Sequence, residues 1–459
     1  MIARLGFDPP SREVSLTTAM RAAGVLERAW RVLHLPGEPP ITPYGVGVLS
    51  SVQDVRARQD AARPGSAADL RRRGRGRLRG VAAGATVSRP LSAAAAGYLG
   101  LQGAKAVVTL RNAGRAPAAT EPTDIARVVV VQPILSGDPG LEDALRDNLL
   151  SLDGARFCWL VDEDDAEAQH IVQRIGPVDR LEVRLCPPAP EGVNPKLASL
   201  QPALEDAGDD EVFLVLDDDT RLPRASLGAL LGGLERATLA TGLPAYLPGR
   251  DVWAQLVEQF VDNNAAMTYL TMAPVTINGM TWAMRVRDLR AIGGFTPLLR
   301  HLTDDLAVAG AVLGSGGTIC QTASPQWLTT TVEGPGHYAR LMHRWMLFAN
   351  LLLRRQPMRT VAAISLLHGI HPNLLAVVLA GSVRERRLLP LVAVLGGRAL
   401  LLRHLQRRIY GRPLHRPAVS LASGLVQPLH LGHGAVQRTI RWRTRTYRVR
   451  ADDDFEAVR

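Results

Sequence analysis

The sequence predicts an α/β protein built on a largely parallel sheet flanked by helices. Three observations carry that prediction. From residue 127 onward, short aliphatic runs alternate with stretches of helical length and periodicity. Runs such as Val128-Val129-Val130-Val131 are apolar on both faces, as a strand covered by helices on both sides must be. Acidic residues stand where such runs stop, and open α/β sheets bind ligands beyond the carboxyl ends of their strands.

The elements follow in order. Residues 128–131 form the first strand and 141–152 the first helix. Strands at 157–161 and 181–185 alternate with helices at 166–175 and 196–207. A strand at 212–216 leads, through Pro223 at a helix start, into a helix over 224–240. Residues 281–284 form a further strand and 305–313 a further helix. The segment 360–381 lacks Asp, Glu, Lys and Arg for 22 residues. It contains His368, His371, Pro372 and Asn373, which makes it a poor membrane span. The run 388–402 is broken by Arg398, and 417–436 carries Gln427, His430 and His433. Three such segments point to membrane association rather than to three spans; the other reading is a packed helical subdomain. Near the front, the Ala- and Gly-rich stretch 85–112 is charge-free only over 90–104. A spanning helix needs about 20 residues, so this stretch is a weak anchor, an interfacial helix or a buried helix.

Composition narrows the partners. Apolar residues make up 46% of the 459, enough for a large core, but aromatic residues only 5%. The net charge of +11 suits an anionic ligand or surface. No nucleic-acid signature accompanies it, and the aromatics are too sparse for base-stacking platforms. Nucleotide phosphate and membrane phospholipid are the expected partners, and nucleic acid is not. Cys158, Cys186 and Cys320 have no metal-ligand spacing, and their odd number points to a reducing compartment. Met1 to Pro10 lacks a basic start followed by an apolar stretch, so no signal peptide is expected.

Asp217-Asp218-Asp219, at the end of strand 212–216, is the most informative feature. Carboxylates crowded at a buried strand end repel one another unless a cation sits among them. Mg²⁺ and Mn²⁺ take such hard oxygen ligands and share them with a phosphate; a solvated acidic turn is the alternative. Asp162 ends the second strand, either at a ligand or as a helix N-cap. Asp304 and Asp305 open the helix at 305–313, where Asp304 raises its neighbour's pKa by like charge or caps the helix. Lys196 stands at a helix start, facing a phosphate or solvent. Gly279-Met280-Thr281 leads into the strand at 281–284, as pocket lining or as a plain turn. Arg344-Trp345 offers a cation beside an aromatic wall, or an interfacial anchor.

The order Asp162, Asp217-Asp218-Asp219, Asp304-Asp305, Arg344-Trp345 resembles the D, D, D, (Q/R)xxRW pattern of family 2-like glycosyltransferases. Gln132-Pro133-Ile134-Leu135-Ser136-Gly137-Asp138-Pro139, Val193-Asn194-Pro195-Lys196, Gly242-Leu243-Pro244-Ala245-Tyr246 and Asn278-Gly279-Met280-Thr281 make the closer resemblance the ceramide glucosyltransferase family, family 21. It covers residues 125–350 in register and about 85–450 more loosely. It implies a GT-A fold, a UDP-sugar donor and inverting transfer of glucose or N-acetylglucosamine to a lipid hydroxyl such as ceramide or a polyprenoid. Carried over, Asp162, Asp217 and Lys196 bind the donor, and Asp217 and Asp219 ligate Mn²⁺ or Mg²⁺. Asp305 is the general base, Arg344 and Trp345 complete the catalytic set, and Gly279, Met280 and Asp304 line the acceptor side. One position departs from the pattern: Leu341 stands where Gln or Arg is expected, with Arg340 or His343 as the nearby substitutes. The rival readings are a nucleotide-sugar-binding membrane scaffold without turnover and a processive polysaccharide synthase.

The expected organisation is a catalytic domain over 125–350, facing the cytoplasm, and a membrane-associated helical region with a basic tail over 351–450. An apolar helix, a candidate membrane anchor, occupies 85–112. Residues 66–84 form a basic linker containing Arg71-Arg72-Arg73. Residues 1–65 resemble the C-terminal part of an extended short-chain dehydrogenase or epimerase through Val32-Leu33-His34-Leu35-Pro36-Gly37-Glu38-Pro39-Pro40. They lack its dinucleotide loop, so no activity is expected of them.

Overall fold

In the computed structural model, the structure describes residues 88–458, apart from 250, 330, 443 and 444. The expectations for residues 1–65 and for the basic linker at 66–84 lie outside the described residues. The described residues form one compact unit. Helix α1 (Arg89–Ala113) starts where Ser88 accepts from the Leu91 amide and Pro90 occupies the first turn.

The sheet then builds as the periodicity requires. β1 (Val128–Ile134), α2 (Leu141–Ser151), β2 (Arg156–Asp162), α3 (Ala166–Ile175), β3 (Leu181–Cys186), α4 (Pro195–Asp206) and β4 (Val212–Leu216) alternate without interruption. After a two-residue strand β5 (Thr220–Arg221), α5 (Arg224–Leu234) returns the chain to β6 (Leu239–Tyr246). The helix expected over 224–240 therefore ends early. Gly232 and Gly233 weaken its last turn, the Arg285 guanidinium takes up the Leu234 carbonyl, and residues 239–246 are buried throughout, as a central strand demands. α6 (Val252–Asp262) and α7 (Ala265–Tyr269) precede β7 (Thr281–Arg285), α8 (Val286–Ala291), α9 (Asp304–Gly314) and β8 (Ile319–Leu328).

Eight strands pair in the order β3-β2-β1-β4-β7-β6-β8-β5. β1 to β4 are mutually parallel, while β7 runs antiparallel to both β4 and β6. The valines of β1 divide between the two faces. Val129 and Val131 join Phe213, Val215 and Trp282 in one core, which α4 and α9 cover. Val128 and Val130 join Leu214 and Leu216 in the other, under α2 and α5. Each side chain fully buried in this way contributes about 1.5–3 kcal/mol.

Beyond the sheet, α10 (Gly334–Arg355) leads into α11 (Met358–Ile364), a π-helical turn at Ser365–Gly369 and α12 (Ile370–Arg384). α13 (Leu389–Tyr410) and α14 (Pro417–Val436) follow. The segment read as a poor span lies in one continuous helical run, Met358–Arg384, whose most apolar stretch has a mean hydropathy of 1.6. Among the described residues it alone is long and apolar enough to cross a membrane, and only 22% of its most apolar stretch is buried. Of its two histidines, His371 is buried and His368 half-buried. The basic tail folds into a small antiparallel sheet, β9 (Thr439–Trp442), β10 (Arg445–Ala451) and β11 (Asp454–Ala457). Its apolar side chains Ile440, Tyr447, Val449 and Phe455 pack against Leu347 and Leu351 of α10.

Candidate active site

The site begins with a register fact. β4 and β7 pair with Leu216 opposite Thr281, and the Asp217 amide donates to the Met280 carbonyl at 2.8 Å. Gly279 and Met280 therefore lie directly across from the acidic triplet. Successive residues at a strand end point to opposite sides. Asp217 and Asp219 reach a cavity of about 610 Å³, whereas Asp218 is buried and accepts from the Leu135 amide at 2.8 Å. The middle carboxylate thus ties the end of β1 to the end of β4 and is not a cavity group.

Lys196 comes to this place from the first turn of α4. Asn194 caps that helix through the Lys196 and Leu197 amides and sends its own amide nitrogen to the carbonyls of His301 (2.9 Å) and Leu302 (3.0 Å). One side chain therefore fastens the lysine's helix to the loop preceding Asp304. The Lys196 Nζ donates to Asp217 Oδ1 and Asp304 Oδ2, each at 2.7 Å, and to the Gly279 carbonyl at 3.1 Å. All three donors of the ammonium group are used. Burial works against its charge, but the two carboxylates outweigh burial and raise its pKa. The reading of Lys196 as a solvent-facing lysine is thereby corrected, because its charge is committed to two carboxylates.

Asp304 was one candidate for the cap of α9. The N-cap is Thr303, without a side-chain bond, and the Asp304 carboxylate is drawn away to Lys196. Asp305 accepts from the Leu306 amide at 2.8 Å and faces the cavity. Burial pushes Asp305 up to about 7, with the neighbouring Asp304 charge adding to the rise. Burial likewise pushes Asp217 up to about 7, against the pull of Lys196 and with the charges of Asp219 and Asp304 behind it. The 2.7 Å contact with the protonated lysine opposes that rise without cancelling it. Gly279 lies against Asp305, where a Cβ would stand in ordinary contact, 3.4 Å from the Asp305 Cβ.

The same cavity is lined by Arg344 and Trp345 of α10, the latter stacked on Phe260 with ring centroids 6.2 Å apart. Lys196, Asp217, Asp219, Gly279, Met280, Asp304, Asp305, Arg344 and Trp345 thus share one wall system. Asp162 does not join them. It ends β2, two strands from β4, outside the lining, and its carbonyl accepts from the Asp165 amide and the Gln169 side chain. The cap of α3 is Asp165, not Asp162. Neither substitute for the Gln or Arg expected at 341 lines the cavity. Arg340 is exposed, and His343 packs edge-on against His433 and bonds the Thr439 carbonyl. Leu341 itself lines the cavity and belongs to an apolar cluster with Tyr246, Val257 and Met342.

Sequence reasoning missed Asp452 and Tyr269. Asp452, with its side chain 2% exposed, lies in the turn between β10 and β11. Its carboxylate accepts from the Thr303 amide (2.9 Å) and hydroxyl, contacts His301 Nδ1 (2.9 Å) and pairs with Arg355 (3.1 Å). Burial would raise its pKa, but these bonds outweigh burial and lower it. The only local signal was the acidic triplet Asp452-Asp453-Asp454 after the basic run. Tyr269 lines the cavity, its phenol raised by burial and by the Asp305 charge; nothing in its neighbourhood marks it in the sequence.

Two carboxylates on the wall of a cavity suit a divalent cation. Among the described residues, no group of three or more His, Cys, Asp or Glu gathers to hold a metal by itself. Asp217 and Asp219 would supply two oxygen ligands and leave the remainder to a diphosphate and water, as Mg²⁺ usually accepts.

Residues 91–455 match the sequence profile of glycosyl transferase family 21. The chain belongs to this family. It is a glycosyltransferase, and its mixed, largely parallel sheet flanked by helices is the architecture that the GT-A expectation required. The family 21 match leaves residues 1–65 unaccounted for, and nothing supports the dehydrogenase resemblance there. Among solved structures, this family 21 protein is similar to a mannosyltransferase from Pyrobaculum calidifontis in complex with GDP-Man and Mn²⁺. Identity is 18% and the TM-score 0.43, over 75% of this chain and 98% of that one. TarS 1–349 from S. aureus, in complex with UDP-GlcNAc, gives 12% identity and a TM-score of 0.33 over 72% and 99% of the two chains. Glucosyl-3-phosphoglycerate synthase from Mycobacterium tuberculosis, with Mn²⁺, UDP and glucosyl-3-phosphoglycerate, gives 16% and 0.30 over 48% and 78%. No curated protein sequence matches the chain.

Proposed function

We propose that this family 21 glycosyltransferase moves a hexose, glucose or N-acetylglucosamine, from a UDP-sugar to a lipid hydroxyl with inversion at the anomeric carbon. One observation carries the reading: a single cavity runs from the carboxylates Asp217, Asp219 and Asp305 to apolar walls that include Leu352, Leu353, Ile364 and Leu431. A polar donor and an apolar acceptor need such a cavity with two characters.

In this reading the acceptor hydroxyl gives its proton to Asp305 while its oxygen bonds to the anomeric carbon. The bond from that carbon to the diphosphate breaks, and UDP leaves. A raised pKa makes Asp305 a stronger base than an ordinary carboxylate. Arg344 faces the charge that develops on the leaving group. A Mn²⁺ or Mg²⁺ ion held by Asp217 and Asp219 would neutralise the diphosphate. Lys196 holds Asp217 and Asp304 in place, and Trp345 with Gly279 and Met280 shapes the sugar and acceptor side. Asp162 remains a nucleotide contact in the proposal, reached by a donor that extends past β1 toward β2.

Membrane association with a cytoplasmic catalytic face is part of the same proposal. The helical run Met358–Arg384 supports it, as do the outward-facing Leu366, Val377, Val392 and Leu429. The Asp305→Asn variant tests the chemistry. Transfer from UDP-glucose or UDP-N-acetylglucosamine falls at least about 100-fold, the scale of a lost general base, while UDP-sugar affinity stays within about twofold. Retained turnover rules out Asp305 as the base. Leu341, standing where Gln or Arg is expected, favours a second reading, a donor-binding scaffold without turnover. Sugar release from the donor in the presence of Mn²⁺ excludes that reading.

A further inference from the structure

Leu341 lines the cavity but offers a bound donor no polar atom. A residue earlier on the same helix can supply one. His337 precedes Leu341 by four residues and Arg344 by seven, so the three stand in one row along α10. Seven residues rise about 10 Å. His337 therefore ends a row whose other end, Arg344, is a wall of the cavity. The chain before α10 shows where the His337 end lies. The Thr329 amide donates to the Asp219 carbonyl at 3.3 Å, so the segment that leaves β8 starts against the acidic triplet. Two residues on, the Thr331 amide (3.2 Å) and hydroxyl (3.3 Å) donate to the Asp138 carboxylate, which also takes the Gly140 amide at 2.8 Å. Asp138 follows β1. The segment 329–333 thus crosses from the triplet to the end of β1 before it enters α10.

The His337 ring is half-buried, and its Nδ1 accepts from the Glu333 amide at 3.3 Å. Burial, with the charges of Arg340 and Arg344, lowers its pKa from 6.5, against the pull of Glu333 and Asp138. The ring is therefore neutral at pH 7 and above. With Nδ1 an acceptor, its proton is on Nε2. That N–H bonds nothing among the described residues and is not sealed inside the protein. Taking up the Glu333 amide explains Nδ1 alone. It leaves Nε2 an unused donor, within reach of the charges of both Arg344 on the cavity wall and Asp138 beyond β1.

We propose that His337 binds the nucleotide half of the sugar donor, its Nε2–H donating to an oxygen of the nucleoside monophosphate. The inference rests on the glycosyl-transfer reading for its ligand. In that reading the diphosphate lies among Asp217, Asp219 and Arg344, and the nucleoside extends past β1 toward Asp162. A donor laid out in this way passes the Asp138 loop and the His337 end of the α10 row. His337 thereby supplies, one turn earlier on the helix, a polar contact that Leu341 cannot make. It holds a part of the donor that is the same before and after transfer. It therefore strengthens binding of donor and of leaving nucleotide alike and does not act on the bond that breaks.

The test is equilibrium binding to the full chain in detergent with Mn²⁺. UDP is measured by titration calorimetry and UMP by its displacement of UDP, on the wild type, His337→Ala and His337→Gln. Glutamine carries N–H donors about where the imidazole carries Nε2. His337→Ala weakens UDP and UMP by the same factor, about tenfold, the worth of one hydrogen bond, and His337→Gln stays within about threefold of the wild type. Equal affinity of the wild type and His337→Ala for UDP overturns the proposal. So does a loss for UDP without one for UMP, which places the contact at the terminal phosphate. A loss that His337→Gln shares in full overturns it too, since that marks a packing role. Absence of UDP binding by the wild type sinks the glycosyl-transfer reading itself, and the proposal falls with it.

Discussion

Asp305 and Asp217 are carboxylates held in a place that disfavours their charge, and burial is the leading cause for both. A base acts only when ionised, so turnover rises with pH through about 7 and levels off above it. The Asp304→Asn variant removes the like charge next to Asp305, and the rising limb moves to lower pH. A kcat profile between pH 5.5 and 9 for both proteins checks this; an unmoved limb contradicts the electrostatic account. The sign for stability is opposite. The folded chain holds the Asp305 proton above the ordinary value of 3.8, so the stabilising contribution is complete below 3.8. It is lost as pH rises toward about 7. At this scale the sequence showed which carboxylates to watch but not how they divide. Asp218 differs from its neighbours only in the side of the strand end it faces, and Asp304 from Asp305 only in lying within reach of Lys196.

Elements carry these residues to one another. Asn194 at the start of α4 and Asp452 in the β10–β11 turn both grip the segment 301–303, from opposite sides of the chain's length. Asn194→Ala removes a helix cap worth about 1 kcal/mol and two bonds to that segment. Asp452→Ala leaves the Thr303 amide unpaired, a cost of about 1–3 kcal/mol, and frees the loop before Asp305. Both variants unfold at lower denaturant concentration than the wild type, and both lose kcat more than donor affinity. A variant that unfolds earlier but keeps its kcat shows the grip to be structural only. Helix α4 was legible from its apolar spacing, whereas the cap by Asn194 came only with the structure. The grip of Asp452 was not, because 149 residues separate it from Thr303 and nothing local marks the pairing. The overrun of the helix over 224–240 has the same origin: residues 239 and 240 suit either state, and pairing with β7 and β8 decides for the strand.

At the scale of the whole molecule, the sheet and the helical run Met358–Arg384 meet around one cavity. The outward apolar side chains of that run and its neighbours predict stable attachment to lipid. The chain sediments with vesicles, resists extraction by high salt and is released by detergent. Replacing Leu366 and Val377 with Glu, both exposed, converts it to a form that salt or alkali extracts. Behaviour unchanged by the double substitution contradicts lipid contact through this face.

The sequence by itself determined the alternation of strands and helices, the family, and the order of the acidic and Arg-Trp motifs. Those properties are written in local periodicity and spacing, where neighbours in the chain are neighbours in space. Tertiary structure decided what no local pattern encodes. It gathered nine of the ten expected residues round one cavity and left Asp162 outside the lining. It gave Lys196 two carboxylates and folded the basic tail into a support for the loop before Asp305. Contacts between residues far apart in the chain depend on how whole elements pack, and packing is fixed only when all faces are buried together.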